Sequence, residues 1–527
     1  MNKVIIIGLD GATFDLIKPW VDDGKLPCLG KLMGNGVWGK LRSVIPSMSG
    51  PAWVSFMTGK NPGKHGVLGF VAYPPNTYPG ERQPSLVSSL AFKDKTLWQI
   101  LSSCGKRVGV MNVPVTYPPQ KVNGFLISGF LTPPSAAVFT YPEELKQSIP
   151  DYRIGIRQGW KTEDGRTSIR KLEDELIIEE FHDIAERRTE AAVKLMGQWK
   201  PDFFMVVFKG TDDMQHFFWG REDILLEYYQ KIDKSVDRIL AEGGEDTDVF
   251  IISDHGFGPA ATRRFSIIAW LEQAGLLKRK RDLKSTLLRN TYHLAGVLNR
   301  KTPFVKRIPP RSVAAVRKVV RQVLAWHHSK AYSRNLLGII GINVNLRGRE
   351  PQGIVEPGQE YEELREEVIK KLLSLKDPKT GERVMAEVYS NSEIYWGSKL
   401  NKVPDIIGIP NPKYGVDPSP FTKTGFADSS PEVRGQHFNQ PNGIFIACGP
   451  RIKDGERAEG ARLFDIAPTV LHIMGLPVPD DMDGTVLNEL FKTESEPAQR
   501  AVEYRATGTE PERVRARVAR LKIRGKI

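Results

Sequence analysis

The feature that most constrains the fold of this chain is a set of short apolar runs, rich in β-branched residues, that end in a polar or turn residue. These runs are VIIIGLD, RVGVMNVP, DFFMVVFKG, DVFIISDHG and PDIIGIP. Helical patterns alternate with them, for example from Thr96 to Ser103, from Asp174 to Gly197 and from Asp223 to Ala241. Fully apolar strands that alternate with helices are typical of parallel sheets. We predict an α/β fold with a mostly parallel central sheet, helices on both faces and cap insertions.

The length and the cysteine content exclude several classes of protein. A chain of 527 residues suits one elaborated α/β domain with insertions, or two or three separate domains. Cys28, Cys104 and Cys448 are far apart, which argues against a disulfide scaffold and against a cysteine metal site. No run reaches the roughly 18 apolar residues of a membrane helix, and the N-terminal run is too short for a signal peptide. We expect a soluble, cytoplasmic protein.

The positive charge of the chain is concentrated in one segment. Residues 278–321 contain 14 Lys or Arg and one Asp, so the segment carries a formal net charge of +13. This equals the formal net charge of the whole chain. Because few aromatic residues interleave these cations, stacking on single-stranded nucleic acid is poorly supported, and the sequence indicates no clear nucleic-acid partner. We interpret the segment as a solvated insertion. The alternative is a patch that makes peripheral contact with an anionic membrane or with a polyanion.

Polar side chains at the predicted strand ends form the first part of a candidate site. Asp10 follows VIIIGL, and Asp254 and His255 follow VFIIS, where such groups would be costly near a sheet core. Ligands of open α/β sheets bind beyond the carboxyl ends of the strands. Asp212 and His216 are four residues apart, so in a helix they share one face, as two ligands of one ion do. For this pair alone, a solvated helix face is the alternative.

Two turn-like segments supply the remaining candidates. Ser49 in IPSMSGPAW precedes a predicted helix with Pro51 in its first turn, where backbone N–H groups favour an anionic oxygen. A helix-capping serine is the alternative. His437 lies in the loop RGQHFNQPNG, where an exposed histidine would be the default interpretation. Together, three carboxylates, three imidazoles and one hydroxyl can bind two divalent ions around an oxygen nucleophile.

In their order and spacing these motifs resemble the alkaline phosphatase superfamily. Within it the chain is most similar to the type I phosphodiesterase/nucleotide pyrophosphatase family, in its cytoplasmic prokaryotic phosphohydrolase/phosphomutase branch. The block PSMSGPAWVSFMTGKNPGKHGV is similar to the nucleophile block P-x-x-[ST]-x-P followed by TG-x-x-P-x-x-HG. The similarity continues through DHG, GQH and FDIAPTVLHIMGLPVPDDMDG and covers most of residues 1–490. It implies an alkaline-phosphatase-like fold and a metal-dependent hydrolase of phosphate esters.

The resemblance also implies two metal sites, one of which has the catalytic serine as a further ligand. The ligands of one ion would be Asp212, His216 and His437. The ligands of the other would be Asp10, Asp254, His255 and Ser49. Ser49 would also attack phosphorus and form a serine-phosphate intermediate. A ligand set of Asp and His suits two divalent metal ions, for which we predict zinc with manganese as the alternative.

The chain departs from the family pattern at two positions. It has Ser49 where family phosphodiesterases usually carry threonine, and Phe70 at the spacing where many place an asparagine that holds a phosphate oxygen. This leaves the preference between monoesters and diesters open. We predict Lys64 and Lys209 as substrate-binding residues, and Asn61 is a further candidate.

The predicted activity is that of a phosphodiesterase or nucleotide pyrophosphatase on a small phosphate-ester substrate. One alternative is a phosphomutase that returns the phosphoryl group to substrate, and another is a non-catalytic, metal-dependent anion-binding protein. A sulfatase is not favoured, because Trp53 stands where the C/S-x-P-x-R motif requires arginine. His65 matches the HG turn and is interpreted as structural.

Composition predicts four segments along the chain. The first is the core from 1 to 275, with a cap insertion at about 114–200. A basic insertion, 276–323, follows, and then the remainder of core and cap, 324–492, which includes the last metal ligand. A basic C-terminal helix or tail occupies 493–527.

Overall fold

The computed structural model describes most of the chain, namely residues 2–74, 77–79, 81, 82, 84–156, 173–280, 324–336, 338–417, 425–429 and 434–507. The chain forms two compact units. The first comprises 1–70, 87–259 and 433–527, and the second comprises 71–86 and 260–432. Most of the basic segment 278–321 and the C-terminal residues 508–527 lie outside the described residues, so the roles and the segment boundaries predicted there stay predictions.

The first unit is built around a nine-stranded sheet. Its strands, in spatial order, are β20 (Glu456–Ala458), β2 (Gly36–Arg42), β19 (Asn442–Cys448), β9 (Thr247–Ile252), β1 (Lys3–Leu9), β8 (Phe203–Phe208), β5 (Val108–Val113), β6 (Gly124–Ser128) and β7 (Thr140–Tyr141). Strands β9, β1, β8, β5 and β6 are parallel, whereas β19 is antiparallel to both of its neighbours. Four of the five predicted apolar runs form β1, β5, β8 and β9, which confirms the mostly parallel sheet.

Both faces of this sheet are buried. Val4 and Ile6 of β1 join one hydrophobic cluster, and Ile5 and Ile7 join the other, because successive side chains of a strand alternate between faces. The first cluster is completed by the helices α3 (Ser49–Thr58), α5 (Leu97–Ser103) and α13 (Ile466–Ile473). The second is completed by α1 (Phe14–Asp22), α2 (Pro27–Gly34), α7 (Asp174–Trp199) and α9 (Glu222–Ala241). Each fully buried isoleucine stabilises the fold by about 1.5–3 kcal/mol, and helices on both faces are confirmed.

The predicted helices of this unit begin and end close to their predicted limits. Helix α5 starts after Thr96, whose hydroxyl and the Gln99 side chain form a capping box. The other elements of the unit are short: α4 (Pro62–His65), α6 (Leu145–Ser148), α8 (Gly210–Phe218), α14 (Glu496–Gln499), the pair β10 (Gly258–Pro259) and β18 (Gly435–Gln436), the pair β21 (Val478–Pro479) and β22 (Tyr504–Arg505), and the 3₁₀ segments Leu463–Asp465 and Asn488–Leu490. Among the helices of the described residues, none is both long and apolar enough to cross a bilayer.

The second unit has its own sheets and hydrophobic core. Its largest sheet is antiparallel and contains β12 (Ala331–Leu336), β13 (Ile339–Val344), β15 (Ile406–Pro410) and β14 (Met385–Ser390). The remaining elements are β16 (Tyr414–Asp417), β11 (Arg263–Ser266), β17 (Phe426–Asp428), β3 (Val71–Ala72), β4 (Ser85–Leu86), α10 (Ile267–Gln273), α11 (Gln359–Leu373), α12 (Asn391–Ile394) and the 3₁₀ segments Trp326–His328 and Leu400–Lys402. The run PDIIGIP forms β15, so its predicted place in the parallel sheet is wrong. A buried antiparallel strand has the same apolar pattern as a parallel one.

Candidate active site

Five of the seven predicted site residues lie at one edge of the central sheet. Asp10 directly follows β1, and Asp254 and His255 lie just beyond the end of β9. Strand β8 leads into α8, which carries Asp212 and His216 four residues apart. Because β1, β8 and β9 are parallel, their carboxyl ends bring these side chains to the same edge. The strand-end positions and the helical pair are as the sequence predicted.

Ser49 and His437 reach the same edge from more distant parts of the sequence. The Ser49 hydroxyl donates a hydrogen bond to Asp10 Oδ1 at 3.1 Å and lies 3.4 Å from His255 Nε2. His437 Nε2 lies 3.9 Å from Asp212 Oδ1. The rings of His437 and His255 stack with their centroids 3.9 Å apart. The structure therefore brings all seven predicted side chains together.

Ser49 does not cap its helix. It is the first residue of α3, and Met48 occupies the N-cap position without a side-chain hydrogen bond to the helix. The helix-capping alternative for Ser49 is therefore wrong, since its hydroxyl donates to Asp10 instead. The backbone N–H groups of the first turn of a helix have no partner within the helix, so they are suited to an anionic oxygen next to Ser49.

The three histidines of the site share one tautomer. Their Nδ1 atoms lie 2.9, 3.0 and 3.0 Å from carbonyl oxygens in the pairs His216–Gly435, His255–Gly256 and His437–Ser47. A carbonyl only accepts hydrogen bonds, so Nδ1 carries the hydrogen and Nε2 presents its lone pair to the site. Burial, together with the neighbouring His255, lowers the pKa of His437 well below its usual value. Neutral imidazole is the form that binds metal ions.

The carboxylates of the site have more oxygens than donors to satisfy them. Among the described residues, Asp212 Oδ1 and Asp254 Oδ2 are buried without a hydrogen-bond partner. Asp254 Oδ2 lies 3.2 Å from the Nε2 lone pair of His255. Burial, followed by repulsion from Asp212, raises the pKa of Asp254 to about 8, and burial with Asp254 raises the pKa of Asp10. These atoms repel one another unless a cation lies between them, so the residues fit divalent metal ions.

The ligand atoms form two overlapping groups. Within each group all atoms lie within 4.8 Å of one another, and the groups are Asp10–Asp254–His255 and Asp212–His255–His437. His255 belongs to both groups, so it lies between them. His216 Nε2 is 3.6 Å from Asp212 Oδ2, the oxygen that is not directed at His437. This arrangement fits two neighbouring ions, and the assignment of each ligand to one ion stays a prediction.

Two supporting contacts were missed by the sequence analysis. Trp53 Nε1 donates to Asp10 Oδ2 at 2.8 Å, so both oxygens of Asp10 are held. The backbone N–H of Gly11 donates to Asp254 Oδ1 at 3.1 Å, and Gly11 has φ of +66°, a conformation that favours glycine. For Trp53 the available signal was its place one helical turn after Ser49. For Gly11 the available signal was the presence of a glycine directly after Asp10 at the end of the strand.

A short strand pair positions His437. Strands β10 and β18 pair antiparallel, which joins the turn after His255 to the residues before His437. A Cβ on Gly435 would lie 2.5 Å from the Phe257 ring, so the close approach requires glycine. The Ser47 hydroxyl donates to the carbonyl of Phe438 at 3.0 Å. These contacts convert a loop histidine into a buried, fixed one.

The two lysines that we predicted to contact substrate have different surroundings. The Lys209 ammonium lies 2.9 Å from Asp212 Oδ2 and 2.7 Å from Asp213 Oδ1. Although burial alone would raise the pKa of Asp212, Lys209 lowers it below its usual range. The Lys64 ammonium lies 2.6 Å from Asp483 Oδ1. Both ammonium groups are thus bound to carboxylates, and their contact with substrate stays a prediction.

The comparison with protein families decides the identity of this fold and site. Residues 4–420 match the family described as type I phosphodiesterase/nucleotide pyrophosphatase. The chain belongs to this family. Its members are metal-dependent phosphoric ester hydrolases, which confirms the predicted class of enzyme and the predicted superfamily. No curated protein is similar enough in sequence to count as a relative.

Solved structures of low sequence identity share the fold. Phosphonoacetate hydrolase from Sinorhizobium meliloti 1021, in complex with phosphonoacetate, has a TM-score of 0.52 at 15% identity, and the match covers 88% of this chain and 94% of that one. Murine ectonucleotide pyrophosphatase/phosphodiesterase 5 has a TM-score of 0.51 at 12% identity over 90% of this chain and 95% of that one. The alkaline-phosphatase-like fold predicted for the chain is confirmed.

Proposed function

We propose that this member of the family hydrolyses phosphodiesters or pyrophosphates of small molecules through a phosphorylated Ser49. The observation that carries the proposal is the position of the Ser49 hydroxyl. It lies 3.1 Å from Asp10 Oδ1 and 3.4 Å from His255 Nε2, between carboxylate and imidazole atoms that fit divalent ions. A hydroxyl in such surroundings can ionise near neutral pH, which a free serine cannot do.

The metal-binding residues would be divided as the family resemblance implies. Asp212, His216 and His437 would hold one ion, and Asp10, Asp254, His255 and Ser49 the other. Bound there, two divalent ions, with zinc expected and manganese as the alternative, supply positive charge to phosphoryl oxygens and to the serine oxygen. The similar structures support ester or phosphonate substrates, since one of those proteins is named a phosphodiesterase and another was solved in complex with phosphonoacetate.

The residues of the chain would perform the reaction in two steps. The Ser49 hydroxyl loses its proton, its oxygen bonds to phosphorus, and the bond from phosphorus to the leaving oxygen breaks as that oxygen takes up a proton. Water then attacks the phosphoserine, which releases phosphate or its monoester and restores the hydroxyl. The backbone N–H groups of Ser49 and Gly50, at the start of α3, would bind a phosphoryl oxygen beside Ser49. Trp53 would keep Asp10 oriented during both steps.

The test is a panel of 4-nitrophenyl monoesters and diesters, phosphonates and nucleotides, assayed with the metal content of the same sample. We expect turnover of a diester and, in Ser49→Ala, a loss of at least about 1000-fold in kcat with the fold intact. Mass spectrometry of the acid-quenched wild type should detect on Ser49 the phosphoryl group together with the ester substituent that a diester keeps after its leaving group departs.

Two other results would contradict the proposal. Transfer of the phosphoryl group to an acceptor without release of phosphate would indicate the mutase. Full occupancy by metal ions without turnover of any ester would indicate an anion-binding protein.

A further inference from the structure

Two phenylalanines pack near the start of the nucleophile helix α3. Phe70 and Phe130 are both half-buried, and their rings meet edge to face with centroids 5.3 Å apart at 84°. This is a favourable geometry for aromatic pairs, so the two rings form a defined surface. We call this pair the aromatic wall.

One end of the aromatic wall contacts the nucleophile helix. Gly50 follows Ser49 directly, and a Cβ on Gly50 would lie 3.2 Å from Phe70 Cδ1 and 3.1 Å from the carbonyl oxygen of Gly69. The backbone of the residue after the nucleophile therefore packs closely against Phe70. A methyl group at position 50 would make a contact tighter than usual with the ring, so the glycine favours this close approach.

The other end of the aromatic wall contacts Lys209, which is bound to a candidate metal ligand. The Lys209 ammonium lies 4.9 Å from the centroid of the Phe130 ring, a cation–π distance. The same ammonium is bound to Asp212 and Asp213. The wall thus lies between the helix that begins at Ser49 and the lysine that is bound to Asp212. The positive charge above Phe130 is already neutralised by two carboxylates.

The chemistry of such a wall discriminates between phosphate esters. A phosphate monoester carries three non-bridging oxygens with two negative charges, whereas a diester replaces one of these oxygens by an uncharged ester group. The face of an aromatic ring is negative, and it offers no hydrogen bond to an anionic oxygen that loses its water. An aryl or alkyl substituent loses no hydrogen bond there and gains from burial.

Given the proposed function, on which this inference rests, we propose that Phe70 and Phe130 bind an apolar substituent on phosphorus. The preferred substrates are then phosphodiesters and phosphonate monoesters with an aryl or alkyl group, and phosphate monoesters are poor substrates. Phe70, which packs against the residue after the nucleophile, acts as a specificity-determining residue.

The experiment compares kcat/KM for bis(4-nitrophenyl) phosphate, 4-nitrophenyl phenylphosphonate and 4-nitrophenyl phosphate, using the metal-loaded full chain. The wild type should prefer the first two. Phe70→Asn should lower the ratio of diester to monoester on the order of tenfold, and Phe130→Leu should lower it less. The matched control is Phe14→Leu, a half-buried ring that packs on Trp38 with centroids 5.1 Å apart, and it should leave the ratio unchanged.

A binding measurement separates this inference from the proposed function. Calorimetry with methyl phenylphosphonate and with inorganic phosphate should show that Phe70→Asn weakens the first relative to the second, again on the order of tenfold. If no ester is cleaved but this binding ratio shifts, the proposed hydrolase activity is contradicted, whereas the proposed binding of an apolar substituent by the aromatic wall is supported. The proposed role of the aromatic wall is contradicted if the wild type prefers the monoester. It is also contradicted if Phe70→Asn and Phe130→Leu both leave the ratio of diester to monoester turnover and the binding ratio unchanged.

Discussion

Three buried histidines of the first unit, His65, His255 and His437, are of two kinds, according to how their ring nitrogens are used. At the strand ends, His255 and His437 donate from Nδ1 to carbonyl oxygens, and their Nε2 lone pairs face carboxylate oxygens. His65, in the turn that follows α3, accepts the Val67 N–H on Nδ1 at 3.1 Å, so Nε2 carries the hydrogen and lies 2.9 Å from Ser55 Oγ. His65 is satisfied within the protein, whereas the strand-end histidines are not.

This difference shows what marks a metal site. Burial alone does not, because His65 is 1% exposed and His437 is 4% exposed. Around His65 each polar atom has a donor or an acceptor of the right kind. Around His437 and His255, acceptors face acceptors, and among the described residues two carboxylate oxygens have no partner. An excess of buried lone pairs is costly in the free protein and indicates a bound cation.

The largest expected effect follows from removing a strand-end histidine. In His437→Ala we expect the bound metal per chain to fall and the apparent metal affinity to drop at least 100-fold, since even the loss of a group that only hydrogen-bonds to a metal ligand costs about 10–100-fold. Turnover of diesters should fall with it. Equilibrium dialysis with metal analysis measures the stoichiometry, and His65→Asn is the matched control that should keep it. If both variants lose metal equally, the distinction between the two kinds of histidine fails.

The second prediction concerns pH and His65. Burial lowers the pKa of His65 to about 3, far below its value of 6.5 in an unfolded chain. Between these values the unfolded state binds the additional proton, so the stability due to neutral His65 is complete above pH 6.5 and is lost as the pH falls towards 3. The slope contributed is at most about 1.4 kcal/mol per pH unit.

The measurement is urea unfolding of the wild type and of His65→Asn between pH 7 and pH 4. We expect the free energy of unfolding of the wild type to fall more steeply with acid than that of the variant. Since other buried histidines also titrate, the difference between the two slopes isolates His65. Parallel curves would show that His65 does not stay neutral in the folded protein.

A smaller effect is expected at the indole that holds Asp10. Trp53→Phe keeps the ring packing but removes the donor to Asp10 Oδ2, which should cost about 1–3 kcal/mol of stability and weaken metal binding. Trp98→Phe is the matched control, because Trp98 is also buried and donates at 3.2 Å to the side chain of Gln120. Thermal unfolding and metal titration should separate them. Equal metal affinity in both variants would show that the Trp53 indole does not support metal binding by Asp10.

The smallest expected effect is at Ser55. Ser55→Ala removes the acceptor of the His65 Nε2–H and should cost about 1 kcal/mol, the usual net value of one hydrogen bond. Metal content and ester turnover should not change. A loss of bound metal in this variant would mean that the His65 turn and the metal site are coupled, which contradicts the distinction between His65 and the two strand-end histidines.

Much of the site could be predicted because its signals are local. Asp10 and Asp254 follow buried strands, and Asp212 and His216 have the spacing of a helix face, so each position can be interpreted from its own few neighbours. The capping interpretation of Ser49 failed for the opposite reason. The partner of its hydroxyl is Asp10, 39 residues earlier in the chain, and nothing within its own turn reveals that contact.

The arrangement of the strands was also only partly predictable from local sequence. Four apolar runs entered the parallel sheet as predicted, but the fifth became β15 of an antiparallel sheet in the second unit. Strand β19, which pairs with β9 and β2 in the centre of the main sheet, was not predicted at all. Hydrophobic periodicity shows that a segment is buried and extended, but it does not show which strands lie beside it.

The sequence by itself determined the class of fold, the strand-end acids and the seven polar side chains that could serve one site. These depend on burial and spacing within single elements, which a linear pattern records. The tertiary structure decided the tautomers of the three histidines, the support of Asp10 by Trp53 and the wall formed by Phe70 and Phe130. Each of these depends on atoms from segments that meet only after folding, because hydrogen bonds and ring contacts act over a few ångströms in space.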